Sequence, residues 1–171
     1  MKFSVPILLV VFFATSVALS AQQEDKSKRP SPPATATATV GGKTITIDYS
    51  QPSVKGRKIW GDLVPYGEVW RTGANETTTI DVSADVEVEG KKLAKGKYAL
   101  FTIPGEKEWI IIVNKTIAWG AYSYKEADDV LRATVTPAKS AAFHEKFTIE
   151  ISPEGVVSLL WENLQVNFTV K

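Results

Sequence analysis

Alternation of apolar and polar residues is the dominant pattern of this chain from position 35 onward. In the segment FTIEI, Phe147, Ile149 and Ile151 share one face, while Thr148 and Glu150 share the other. This period of two predicts a strand with one buried and one solvated face. The segment EWIIIV is apolar on both faces, which predicts a central strand covered on both sides.

About nine or ten short segments of this kind follow one another, separated by Gly, Pro, Asn and Ser/Asp turns. Gly41-Gly42 joins the first two segments as a two-residue hairpin turn. No stretch longer than about ten residues has a helical period. The sequence therefore predicts an all-β fold, a two-sheet antiparallel β-sandwich with two long loops, and a β-barrel is the alternative.

Two segments interrupt the strand pattern, residues 51–76 and residues 114–129. Both exceed the usual length of a plain connection in a compact domain, and loops of this length are usually functional or locally folded. They contain Trp60, Trp70 and Trp119, three of the five tryptophans, each close to a glycine. These two long loops are the predicted location of the functional site.

The first residues have the composition of an export signal. Lys2 precedes an apolar stretch, and the small residues Ala18, Ser20 and Ala21 suit cleavage before Gln22. We therefore expect a signal peptide at 1–21, a flexible, proline-rich tether at 22–34 and a single domain at 35–171. The chain has no cysteine, so it is not a lipoprotein, and we expect a periplasmic or secreted protein without stable membrane insertion after cleavage.

Charge and residue types exclude several function classes. The chain has 20 Lys and Arg, one of them in the signal segment, against 19 Asp and Glu, and this balance argues against a nucleic-acid partner. With one histidine and no cysteine, the sequence predicts no transition-metal site and no cofactor; calcium remains the one metal alternative.

The polar and aromatic residues of the long loops are those expected of a small-molecule or glycan site. Aromatic planes stack on sugar rings, and arginine or asparagine gives directional hydrogen bonds. The predicted ligand-binding residues are Arg57, Tyr66, Trp70, Arg71, Asn75, Trp119 and Tyr122. The alternative is structural: the tryptophans plug one end of the sandwich and Arg71 pairs with a buried carboxylate such as Asp48.

The sequence is also compatible with two further functions. In the first, Asp48 and Glu76 act as general acid and base of a hydrolase on a cell-envelope or dietary glycan. In the second, the protein is a structural or adaptor module that binds an unidentified protein partner. We expect binding rather than catalysis, because the sequence contains no nucleophile motif and a single histidine, His144.

Several long motifs, in order, resemble the exported bacterial proteins grouped as domain of unknown function 2911. They are DYSQPSVKGRKIWGDLVPYGEVWRTGANETTTI, VEGKKLAKGKYALFTIPGEKEWIIIVNK, WGAYSY and VLRATV. The resemblance runs from about Asp48 to the C-terminus and implies a Bacteroidetes-type exported protein whose family has no established activity. Its motif residues in this chain are Arg57, Tyr66, Gly67, Trp70, Arg71, Gly73, Asn75, Trp119, Gly120 and Tyr122, which all lie in the two long loops.

Overall fold

The described part of the chain consists of ten strands and three short 3₁₀ helices. The structure, a computed structural model, describes residues 25–171, so the predicted signal peptide at 1–21 lies outside the described residues. The strands are β1 (Pro33–Val40), β2 (Lys43–Ser50), β3 (Thr79–Val82), β4 (Val86–Val88), β5 (Lys91–Leu93), β6 (Gly96–Ile103), β7 (Trp109–Asn114), β8 (Asp129–Val135), β9 (Pro137–Ile151) and β10 (Val156–Thr169). The 3₁₀ helices are Lys26–Lys28, Ala121–Ser123 and Glu126–Asp128. The predicted all-β class and strand number are confirmed.

Six strands form the first layer, in the order β1-β2-β3-β6-β7-β8 with every neighbouring pair antiparallel. Gly41 and Gly42 form the predicted turn between β1 and β2, with φ values of 56° and 81°. Glycine is suited to this turn because positive φ carries no Cβ clash for it.

The second layer is assembled around β10. This strand pairs with β9 along its length, and a bridge from Val170 to Val88 attaches the β4-β5 hairpin on its other side. Ser53, which follows β2, bridges to Lys146 of β9. The pairings leave two layers that are not closed into a barrel, so the predicted sandwich is confirmed and the barrel alternative is not.

The core lies between the two layers and is dominated by inward-facing β-branched and aromatic residues. Trp109, Ile111 and Val113 of β7 face this core, whereas Ile112 belongs to a smaller cluster on the opposite face of the sheet. Tyr124, from the second long loop, packs on that smaller cluster. The prediction that EWIIIV is covered on both sides is thus confirmed.

The described part of the predicted tether packs against the domain. β1 already begins at Pro33, and Gln51 N donates to Pro32 O. Arg29 forms an ion pair with Glu76, and Asn75 donates to Ser31 O. These long-range contacts hold residues 29–32, which composition alone assigned to a flexible linker. Within residues 25–171, none of the helices has the length and apolar character that a membrane span requires.

Candidate functional site

The first long loop packs its two tryptophans, each partly buried, against the core. Trp70 lies next to β6, where its backbone N and O exchange hydrogen bonds of 2.8 and 3.0 Å with Thr102. β3 pairs only with the first half of β6. Beyond the end of β3, Trp70 takes its place as the neighbour of β6. Successive side chains of an extended segment point to opposite sides. Trp70 therefore faces inward, and its neighbour Arg71 faces outward.

Trp70 is part of a cluster of four tryptophans and one phenylalanine at this end of the sandwich. Its ring stacks on Trp161 at 5.9 Å with an interplanar angle of 14°. It also meets Trp60, Trp109 and Phe147 edge to face, with ring centroids 5.9, 6.3 and 5.1 Å away. Offset and edge-to-face pairs of this kind add stability beyond the burial of area. The Trp70 indole thus contributes to the packing of this cluster, as the structural alternative expects of a loop tryptophan.

Three indole N–H groups of the cluster are buried without a hydrogen-bond partner: those of Trp60, Trp109 and Trp161. Trp70 differs, because its Nε1 donates to Gly73 O over 3.1 Å. Trp70 alone of the four is tied by its N–H to the turn that follows it.

That turn is strained. Thr72 is fully buried and has a φ of 53°, a left-handed conformation that is a genuine outlier for a β-branched residue. Its hydroxyl donates to Thr102 Oγ1, and Thr78 Oγ1 donates to its carbonyl. Asn75 is also left-handed, with a φ of 57°. Strain of this kind persists only where surrounding contacts over-determine it, and it is concentrated at functional sites.

The strained turn sets the position of Arg71. Its Nη1 donates to Asn75 O over 3.1 Å, and a Cβ at Gly120 would lie 3.2 Å from the same nitrogen. Arg71 therefore touches the second long loop. It forms no ion pair with any residue of 25–171, so the expected pairing with a buried carboxylate such as Asp48 is absent there.

The second long loop is fixed by a polar network at its base. The buried Asn114 amide donates to Asp129 Oδ1 over 2.8 Å and to Lys125 O. Asp129 also accepts from Tyr124 and Arg132. Burial, followed by the hydrogen bond to Asp129, raises the pKa of Tyr124. Arg132, in the VLRATV segment, is part of this network and holds the end of the second loop through Asp129.

Above this base the loop exposes its aromatic side chains. Trp119 is 60% exposed and Tyr122 is 93% exposed, values far from those of Trp109 and Trp161 at 1% and 2%. Thr77 Oγ1, from the end of the first loop, donates to Ala118 O and so ties the two loops together. The second loop thus presents Trp119 and Tyr122 to solvent, whereas the first loop packs the partly buried Trp60 and Trp70 against the core.

Two adjacent clefts open on either side of the Trp70-Arg71 pair. The first, which we call the arginine cleft, has a volume of about 240 Å³, and its lining includes Ser31, Arg57, Leu63, Trp70, Arg71 and Trp161. The second, the tyrosine cleft, has a volume of about 270 Å³ and is lined by Tyr122, Glu68 and Pro65 together with Leu63, Trp70 and Arg71. The shared wall makes them neighbouring compartments of one site.

The structure brings together four of the seven predicted ligand-binding residues. Arg57, Trp70, Arg71 and Tyr122 line the two clefts. Tyr66, Asn75 and Trp119 lie in the same loops without lining either cleft. Asn75 serves the scaffold by bonding Ser31 and Arg71, and the ring of Tyr66 packs over the backbone of Gly61.

The clefts also contain residues that were not among the seven predicted, including Ser31, Leu63 and Trp161. Ser31 comes from the segment assigned to the tether, and Trp161 lies in β10. No local pattern in the sequence marks either residue, because each reaches the cleft through long-range packing. Leu63 is exposed, and because single exposed apolar side chains are common on protein surfaces, the sequence does not mark it either.

The two predicted catalytic carboxylates line a different, smaller cleft of about 170 Å³, with Lys26 and Tyr49. Asp48 accepts from Thr35 and from Lys97 Nζ. The hydrogen bond from Lys26, followed by the contacts with its own backbone N–H and with Arg29, holds the pKa of Glu76 at about 2. A general acid must keep its proton near neutral pH, so Glu76 is not suited to that role.

Other polar groups of residues 25–171 do not assemble into a site of stronger chemistry. No group of three or more His, Asp or Glu side chains in this part of the chain could hold a metal ion. A larger cleft, of about 530 Å³, lies beside the β4-β5 hairpin and mixes Lys43, Lys92 and Lys171 with Asp85 and Glu87. It contains no aromatic side chain and no arginine, unlike the two clefts at Trp70.

A family model matches residues 31–170, and its description is Protein of unknown function (DUF2911). No curated protein and no solved structure matches the chain. The matched region covers the whole sandwich, both long loops and Ser31 of the arginine cleft. Since it spans far more than half of the sequence, the chain belongs to the DUF2911 family.

Proposed function

We propose that the protein binds a small molecule, or the end unit of a glycan, in the arginine and tyrosine clefts. The observation that supports this proposal is that two adjacent residues, Trp70 and Arg71, point in opposite directions and have different surroundings. Trp70 is fixed in the core by four aromatic neighbours, and Arg71 is held outward with no ion pair to a described residue. An oriented, uncompensated guanidinium beside apolar walls is the arrangement typical of ligand sites.

The neighbouring compartments suit a ligand of more than one unit. The partly buried Trp70 lines the arginine cleft, and the exposed ring of Tyr122 borders the tyrosine cleft. Aromatic faces of this kind stack on the apolar face of sugar rings. A glycan end could therefore occupy the arginine cleft, with the next unit on Tyr122.

The binding test is a screen of a chemically diverse library that includes mono- and disaccharides. Ligand-observed NMR with the mature protein, residues 22–171, should detect binders. These should be lost with Arg71→Ala and retained with Lys58→Ala, which removes a charge from the same loop outside the clefts. Absence of any binder that depends on Arg71 would contradict the proposed function and favour an adaptor role, for which a stoichiometric protein partner should co-purify.

Hydrolysis receives less support than binding. Asp48 and Glu76 do line one cleft, but the ion pairs of Glu76 with Lys26 and Arg29 occupy its carboxylate. If Glu76 were nonetheless catalytic, Glu76→Gln would abolish turnover of a cell-envelope polysaccharide that the parent protein degrades. Equal turnover by the two proteins would remove Glu76 from the mechanism.

We also propose that the protein acts outside the cytoplasm, in the periplasm or after secretion. The support is the sequence of residues 1–21, an apolar stretch behind Lys2 with small residues before Gln22. Expression of the full chain in a bacterial host, fractionation and N-terminal sequencing test this. The expected product is an exported chain that begins at Gln22; an uncleaved cytoplasmic chain would contradict export.

A further inference from the structure

The charge of the arginine cleft has a single sign. Arg57 and Arg71 both line it, and none of its lining residues is an aspartate or a glutamate. The tyrosine cleft differs because it includes Glu68. From this difference we infer that the ligand carries a carboxylate, which binds in the arginine cleft; the inference rests on the binding function proposed above.

The way in which the two arginines are held supports this assignment. Arg57 donates through Nε to Val54 O and through Nη2 to Ser53 O, and Arg71 donates to Asn75 O. All three acceptors are backbone carbonyls, which orient a guanidinium without neutralising it. Neither arginine forms an ion pair with another described residue. Arg57 is exposed and Arg71 partly buried, so both guanidinium groups can be reached by an anionic ligand and neither is already paired within the described residues.

Geometry favours a carboxylate over a bulkier anion. The planar fork of a guanidinium matches the two oxygens of a carboxylate. The cleft volume of about 240 Å³ lies below the range of about 300–1,000 Å³ that is common for sites of drug-sized ligands. It therefore suits one ring-sized unit, and the partly buried Trp70 borders that space together with the exposed Leu63. A uronic acid or a small aromatic acid has this combination of one ring with an apolar face and one carboxylate.

The experiment uses pairs of compounds that differ in charge and little else. Isothermal titration at low ionic strength compares glucuronate with glucose and benzoate with benzamide, and inorganic phosphate is a separate probe. We expect the acid of at least one pair to bind about tenfold or more tightly than its neutral partner. Arg57→Gln and Arg71→Gln should each reduce the affinity for the acid toward that for the neutral compound. Lys58→Gln removes the same charge outside the cleft and should leave affinity unchanged.

The outcomes separate this inference from the proposed function. If neutral compounds bind as tightly as the acids, or if Lys58→Gln weakens binding as much as Arg71→Gln, the carboxylate assignment is overturned while a binding site remains. Binding of phosphate without either acid would also overturn it. If the diverse library screen yields binders but no acid does, only the inference is lost; if that screen yields none, the binding function itself is lost. Thermal unfolding of each variant checks that it is folded.

Discussion

The two long loops use the same residue types in opposite ways. The first loop packs the partly buried Trp60 and Trp70 against the core, and the second leaves Trp119 and Tyr122 exposed to solvent. The two loops differ in this way because they are attached to different parts of the sandwich. Trp70 is hydrogen-bonded to β6 at the end of the sandwich, whereas the second loop lies on the outer face of the sheet above the Asn114 network. An aromatic residue in a glycine-rich loop therefore does not by itself indicate a binding surface.

The same contrast separates neighbouring side chains within the first loop. Trp70 supports the fold, and Arg71, one position later, faces the clefts. The left-handed Thr72 and Asn75 follow at once, and they turn the chain so that Asn75 O can accept from Arg71. The site is thus built on the core rather than on a mobile tip, which favours a preorganised guanidinium.

The largest difference in stability between the two loops should appear when one tryptophan of each loop is replaced by alanine. Trp70→Ala removes an indole with four aromatic neighbours, and we expect it to lower the free energy of unfolding by about 3–5 kcal/mol. Trp119→Ala removes an exposed ring and should change it by about 0.5 kcal/mol or less. Denaturant unfolding of both variants measures the difference. Similar losses would show that the second loop is packed as tightly as the first.

A smaller effect should distinguish the glycines of the two loops. Gly73 has a φ of 154°, and a Cβ there would lie 3.0 Å from the backbone oxygen of Ser50. Gly120 has a φ of 65°, and its Cβ would meet the flexible end of Arg71 at 3.2 Å. Gly73→Ala should therefore cost about 2–3 kcal/mol and Gly120→Ala only about 1 kcal/mol.

Gly120→Ala should affect ligand binding more than it affects stability. Since its methyl group would displace Arg71, Gly120→Ala should weaken any ligand that depends on Arg71 while the protein remains folded. Unfolding curves and titrations of the same two samples make this comparison. A Gly120→Ala variant that binds normally would mean that Arg71 does not need its contact with the second loop.

The smallest effect concerns the ion pairs that attach residues 26–29 to the first loop. The pKa of Glu76 is lowered from 4.5 to about 2, so its contribution to stability is present above pH 4.5 and is lost as the pH falls toward 2. Glu76 is partly exposed, and screening should keep the contribution below about 1 kcal/mol.

Glu76→Gln should accordingly flatten the loss of stability between pH 4.5 and 2, and added salt should do the same in the parent. Glu106→Gln is the control, because Glu106 forms no ion pair with a described residue. Equal pH profiles for the parent and Glu76→Gln would show that these ion pairs contribute nothing in solution.

Local pattern was sufficient for the strands and insufficient for the site. The alternation in FTIEI, the apolar run in EWIIIV and the turn at Gly41-Gly42 each predicted what the structure contains, because they depend on neighbours in sequence. The inward direction of Trp70 depends on pairing with Thr102, and the ordering of Ser31 depends on Asn75. Such contacts join distant positions, so periodicity and composition do not reveal them.

The most direct measurement is the free energy of unfolding of Arg71→Ala beside that of Trp70→Ala. If Arg71 serves the clefts and Trp70 serves the core, Arg71→Ala should lose about 1 kcal/mol or less, the value of its single hydrogen bond to Asn75 O. A loss as large as that of Trp70→Ala would contradict this division and make Arg71 part of a structural plug.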